Sequence, residues 1–163
     1  MAIPKGVEHT PERLKQTLRW VPKPLIYGGI TLLFGRIFKT DCERGSFDFL
    51  IGKKVFITIS DIELQFQVSA TKRYQRTFLN VTPITTEADV SMRVTWSALL
   101  QLTTQKVDPD TLFFKRKLLL TGDTELGLRI KNLLDTIELE QRLPAAVHQQ
   151  LCKLADKSMI EIN

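Results

Sequence analysis

Two histidines and two cysteines are all that 163 residues hold of the side chains most often used as catalytic base, thiol nucleophile or soft metal ligand. His9 stands near the start of the chain and His148 near its end, and no serine or cysteine nucleophile motif accompanies either. Histidine-based catalysis is therefore not expected. Cys42 and Cys152 are far apart and belong to no C-x-x-C or Cys/His pattern, which argues against a disulfide framework and against a structural zinc site. No metal or other cofactor is expected, and a reducing cytoplasm fits.

Other absences narrow the reading further. The stretch from Gly122 to Gly127 lacks the lysine and the second glycine spacing of a phosphate loop, so no nucleotide site is supported. Asp108 and Asp110 form a close carboxylate pair, yet turn initiation and N-capping account for an aspartate on each side of Pro109. Nucleic-acid binding would need basic residues interleaved with exposed aromatics, and the densest basic run, Lys115, Arg116 and Lys117, sits between Phe114 and Leu118 as a solvated turn before a strand. The most lipid-like stretch, Leu25 to Gly35, runs without a charge to Arg36 and is much shorter than the roughly 20 residues that span a bilayer. The N-terminus lacks the pattern of a secretory signal, and a cytoplasmic location, peripheral at the inner membrane, is expected.

What is present is unevenly placed. Residues 1–40 carry Lys5, Arg13, Lys15, Arg19, Lys23, Arg36 and Lys39 against Glu8 and Glu12, which equals the whole net charge of +5. The other 123 residues balance 16 basic side chains (23 less 7) with 16 acidic ones (18 less 2). A localised basic segment favours an anionic surface.

Thr10, Pro11 and Glu12 have the form of a helix start: a hydroxyl N-cap, a proline at the first position and an acid in the first turn. The helix to about Trp20 repeats Leu14, Leu18 and Val21 at helical spacing, with Trp20 as an interfacial aromatic. It reads equally as a membrane-surface element or as a helix packed on its own domain. Leu25 to Phe38 then forms a second helix weakened by Gly28, Gly29 and Gly35, either in the core or along a cavity wall.

From Phe47 to Trp96 the period drops to two. Val55, Ile57 and Ile59, then Ile62, Leu64, Phe66 and Val68, then Val90, Met92 and Val94 alternate with polar residues, while Thr77 to Thr82 adds a further strand. Such alternation implies a sheet covered on one face only. Next come a short helix through Leu102, a turn at Asp108 to Asp110 leading into Phe113 and Phe114, and a buried strand from Leu118 to Leu120. A helix capped by Asp123 or Thr124 carries the stripe Leu126, Ile130, Leu133, Leu134 and Ile137, and Pro144 opens a last amphipathic helix through Val147, Leu151 and Leu154.

The segment Ala88 to Val94, followed by Lys106, Asp108-Pro109, Phe113-Phe114, Lys117-Leu118, Gly122 and Lys131-Asn132-Leu133, resembles the C-terminal half of sterol carrier protein type 2 domains. Asp108 to Phe114, Gly122 to Leu128 and Ile137 to Gln141 further resemble a ubiquinone-biosynthesis branch of that family. The resemblance implies an α+β fold, a five-stranded and mainly antiparallel sheet covered by helices that enclose an apolar cavity. It also implies a non-catalytic factor that binds or presents ubiquinone precursors in the oxygen-independent route, beside the iron–sulfur proteins UbiU and UbiV. Binding or transfer of an anionic phospholipid such as phosphatidate and a lipid-free structural adaptor are the alternatives; an enzyme acting on the quinone ring has no visible constellation to support it.

Three parts are expected: a basic amphipathic segment over 1–24, the lipid-binding domain over 25–144, and a C-terminal helix over 145–163 packed on it. Inward periodicity nominates Ile30, Leu33, Phe34, Leu64, Phe66, Met92, Val94, Leu99, Phe113, Phe114, Leu126 and Ile130 as cavity wall. Arg13, Leu14, Lys15, Leu18, Arg19, Trp20 and Lys23 are the expected contacts with an anionic membrane.

Overall fold

In a computed structural model, residues 10–85 and 87–159 are described; His9 and the basic Lys5 lie outside them. The chain runs α1 (Thr10–Trp20), α2 (Lys23–Ile37), α3 (Lys39–Arg44), β1 (Val55–Ile59), β2 (Leu64–Arg73), β3 (Arg76–Thr82) and β4 (Val90–Val94). It continues through α4 (Trp96–Thr103), α5 (Pro109–Phe114), β5 (Leu118–Gly122), α6 (Thr124–Thr136) and α7 (Ala145–Met159). The strands form one open sheet in the order β3-β2-β1-β4-β5. Three pairings are antiparallel, and β1 lies parallel to β4.

Register converts the period-two pattern into a single apolar face. Ile57 sits opposite Phe66 on one side and Met92 on the other, and Val55 is likewise flanked by Val68 and Val90. A strand's alternate side chains share a face. Val55, Phe66, Val68, Val90, Met92 and Val94 are accordingly buried in the same cluster as Ala98, Leu112, Leu126 and Ile130 from the helices.

Local chemistry fixes the joints. Tyr74 and Gln75 both adopt positive φ in the two-residue β2–β3 turn, a backbone twist that suits a tight hairpin. The parallel start of β4 is locked to β1: Lys54 N–H donates to Asp89 Oδ2 at 2.8 Å, and Asp89 N–H returns a bond to the Lys54 carbonyl at 2.9 Å. Thr95, Asp108 and Asp123 each accept a backbone N–H in the first turn of α4, α5 and α6, giving those helices side-chain caps.

Several details differ from the periodicity reading. Ile62 belongs to a 3-10 turn that reverses the chain before β2, with Glu63 in the left-handed region. Asp108 to Asp110 is not a free turn but the capped start of α5, which ends at Phe113 and Phe114, because Asp108 caps it and Pro109 is preorganised for a first helical position. β5, the sheet's edge strand, is not uniformly buried: successive side chains fall on opposite faces, so Leu118 points into the core and Leu119 into solvent.

Helix α2 runs beside the opposite edge. The Thr31 hydroxyl accepts from Val81 N–H at 3.1 Å and donates to the Val81 carbonyl at 3.5 Å, so that at Val81 the outward backbone groups of this edge strand are paired. Phe34 then reaches over the sheet to Phe66, with ring centroids 6.4 Å apart, and Phe38 continues the aromatic chain to Phe47 at 5.3 Å. Arg142 ties the segment before α7 to this region, donating to the Ile37 carbonyl at 3.3 Å and to both oxygens of Asp41. Helix α7 itself packs on α4.

Candidate functional site

A groove of about 890 Å³ opens where the α1–α2 elbow faces the start of β2 and the end of β3. Leu18, Ile26, Tyr27, Ile62, Leu64 and Val81 give it an apolar wall, while Lys15, Arg19, Lys23 and Glu63 stand around it. The elbow arises because Pro22 is extended and ends the run of α1, and Pro24 falls within the first turn of α2.

Charge around the groove is partly committed. Lys15 Nζ lies 2.8 Å from Glu63 Oε1, joining α1 to the turn before β2. Contact with the ammonium holds the Glu63 carboxyl below the usual glutamate range, and the carboxylate raises Lys15 in turn. For a carboxyl lowered in the folded state, the tie is present above its ordinary value and is lost as pH falls through the lowered one. Arg19 and Lys23 are exposed beside the same groove.

This geometry divides the residues that sequence periodicity had joined. Phe66, Met92, Val94, Leu126 and Ile130 are buried together in the core cluster, and Ile30, Phe34, Leu64 and Leu99 pack against it. Of these, Leu64 also lines the groove. Leu33, Phe113 and Phe114 stand outside, with Phe114 81% exposed, because α2 and α5 turn their neighbours Phe34 and Leu112 inward instead.

The expected membrane contacts divide in the same way. Leu14 and Leu18 pack on the core, so α1 spends its apolar stripe on its own domain. Arg13, Arg19, Trp20 and Lys23 remain exposed, Trp20 at 89%. Lys15, Leu18, Arg19 and Lys23 meet Leu64 at the groove, a convergence that periodicity did not suggest. Tyr27, Ile62, Glu63 and Ile84 line it without having been nominated, and the break in alternation after Ile59 was the available signal for the turn that carries two of them.

Comparison with known proteins agrees with this architecture. The sequence profile of the SCP-2 sterol transfer family matches residues 34–135. The ubiquinone biosynthesis accessory factor UbiT of Escherichia coli (strain K12) is 43% identical over 119 residues, which make up 73% of this chain and 65% of that protein. UbiT of Escherichia coli O157:H7 matches with the same identity and coverage, so the chain spans somewhat less than two thirds of the length of these curated relatives. Among solved structures, the UbiJ-SCP2 ubiquinone synthesis protein superposes with a TM-score of 0.53 at 18% identity, covering 71% of this chain and 98% of that one. The five-stranded, mainly antiparallel sheet with its helices is thus a shared fold.

Proposed function

The chain belongs to the SCP-2 sterol transfer family, and from that premise we propose that it is a non-catalytic lipid-binding accessory factor that binds or presents ubiquinone precursors at a membrane for oxygen-independent ubiquinone biosynthesis. The observation that carries this reading is the groove at the α1–α2 elbow, whose apolar wall runs from Ile26 and Tyr27 across Leu64 and Val81 beside Arg19 and Lys23. Each methylene moved from water into such a wall contributes up to about 0.8 kcal/mol, so even a partly covered prenyl or acyl chain has reason to bind. The polar head would remain at the groove mouth among the basic side chains, accessible to partners of the UbiU and UbiV type. The identity to UbiT supports the pathway.

The same basic side chains support a second reading, in which the ligand is an anionic phospholipid such as phosphatidate. A carboxylate or phosphate beside Arg19 and Lys23 would meet charge of opposite sign. Mass spectrometry of the lipid extracted from the purified native protein separates these possibilities. A stoichiometric prenylated aromatic supports the first reading and a stoichiometric acidic phospholipid the second, whereas protein free of lipid from cells that make both would leave only a structural adaptor.

A further inference from the structure

The outward face of α2 is not explained by folding. Not one of its residues is buried, although the helix is rich in leucine, isoleucine and aromatic side chains. Ile26, Tyr27, Ile30, Thr31, Phe34 and Ile37 are half-buried and occupy the side toward the sheet. Leu25, Gly28, Gly29, Leu32 and Arg36 recur three or four residues apart on the other side, all exposed, with Leu25 at 66% and Leu32 at 78%. A single exposed leucine is ordinary, but Leu25 and Leu32 stand two turns apart on one face with only Gly28 and Gly29 between them, and the neighbouring Leu33 is 49% exposed, which leaves an uncharged apolar patch.

Charge indicates what covers it. Between Glu12 and Asp41 the sequence contains Arg13, Lys15, Arg19, Lys23, Arg36 and Lys39 and no acidic residue. A second copy meeting this face about a twofold axis would set these cations against their own counterparts, so self-association is disfavoured. An anionic bilayer satisfies both features: its acyl region receives the leucines, and its head groups receive the flanking Lys23 and Arg36. The helix is too short to cross a membrane, and none of the described helices does so. An in-plane position remains.

We propose that the outward face of α2, centred on Leu25, Gly28, Gly29 and Leu32 with Trp20 at the preceding elbow, is the surface on which the protein lies against an anionic bilayer. Lys23 and Gly28 belong both to α2 and to the groove lining, so docking by this face brings the groove to the head-group layer. The proposal deepens the lipid-binding reading and rests on it for the purpose of docking.

The test uses the full chain and vesicles of phosphatidylcholine with and without phosphatidylglycerol, comparing the native protein with the Leu25→Ser/Leu32→Ser variant. The native protein should sediment with the phosphatidylglycerol vesicles, and its tryptophan emission should shift to shorter wavelength as the exposed Trp20 leaves water. The variant should bind at least about tenfold more weakly, since in-plane binding scales with buried apolar area. A melting curve checks that it is folded, and Lys23→Glu/Arg36→Glu should weaken binding while leaving the leucines in place. Equal vesicle binding by a folded Leu25→Ser/Leu32→Ser protein would overturn the proposal, as would a native dimer that this variant converts to monomer. Lipid extracted from both proteins keeps the two ideas apart. A variant that retains its lipid but loses vesicles supports α2 docking, whereas vesicle binding by a protein that never carries lipid would sink the carrier reading and leave the docking face standing.

Discussion

Helices α2 and α6 are similar in length and contribute to the same core, yet they solve the same problem in opposite ways. α6 buries Leu126, Gly127 and Ile130 and turns charge outward, where Arg129 Nη2 lies 3.0 Å from Glu125 Oε1 and Lys131 pairs with Asp110. α2 buries nothing fully and presents Leu25 and Leu32 to water. Placement of Leu126 and Ile130 in α6 therefore follows from the stability of the folded chain, and only Leu128 departs from it at 53% exposed, whereas the more exposed Leu25 and Leu32 of α2 have no such explanation. The difference separates residues selected by packing from those available to an outside surface.

The two helices differ most at Leu126. Truncation to alanine should cost about 2–5 kcal/mol, the range for removing a buried leucine and leaving a cavity, because Leu126 is 4% exposed within the cluster. Chemical denaturation would measure it; a loss below 1 kcal/mol, roughly the smallest change expected of a core deletion, would mean that α6 is no better anchored than α2.

Glycines sharpen the same contrast. Gly122, at the end of β5, has φ of +108°, and an added Cβ would stand 2.3 Å from the Asp89 carbonyl oxygen. That oxygen also accepts from Asp123 N–H at 2.9 Å, so the backbone cannot easily move away. Gly122→Ala should therefore destabilise by at least about 1–3 kcal/mol, the usual cost of a strained non-glycine backbone, with a matching fall in thermal midpoint.

How far the sequence disclosed this arrangement depended on whether a local pattern was sufficient. The three alternating runs containing Ile57, Phe66 and Met92 announced one buried sheet face, and the register places those residues side by side. The parallel pairing of β1 with β4 was not legible, because it joins residues 35 apart through Lys54 and Asp89. In Leu32, Leu33 and Phe34, every residue is apolar and a one-residue rotation looks equally good. The tie between Thr31 and Val81, which decides the rotation, is a contact across 50 residues. Likewise the stripe of α1 was visible in Leu14 and Leu18, but its destination was not: the chain's own core claims it.

Gly29 should respond in the opposite sense to Gly122. An added Cβ there would meet nothing within 4 Å, and no positive φ requires a glycine. Alanine is favoured over glycine inside a helix by about 0.8–1 kcal/mol. Gly29→Ala should thus raise stability by up to that amount in urea denaturation. A loss instead would show that this face is packed against something within the folded protein.

The smallest effect is expected at Leu32, where the contrast with Leu126 is sharpest. Both are leucines inside helices, so replacement by alanine removes the same atoms and slightly favours the helix in each case. Leu32 differs in being 78% exposed, so little of its side chain leaves water on folding and no cavity forms when it is shortened. Leu32→Ala should change stability by no more than about 0.5 kcal/mol, the range of ordinary surface substitutions. A urea midpoint that moved as far as that of Leu126→Ala would place Leu32 in a packed interface of the free protein, and the outward face of α2 would then be accounted for by stability alone.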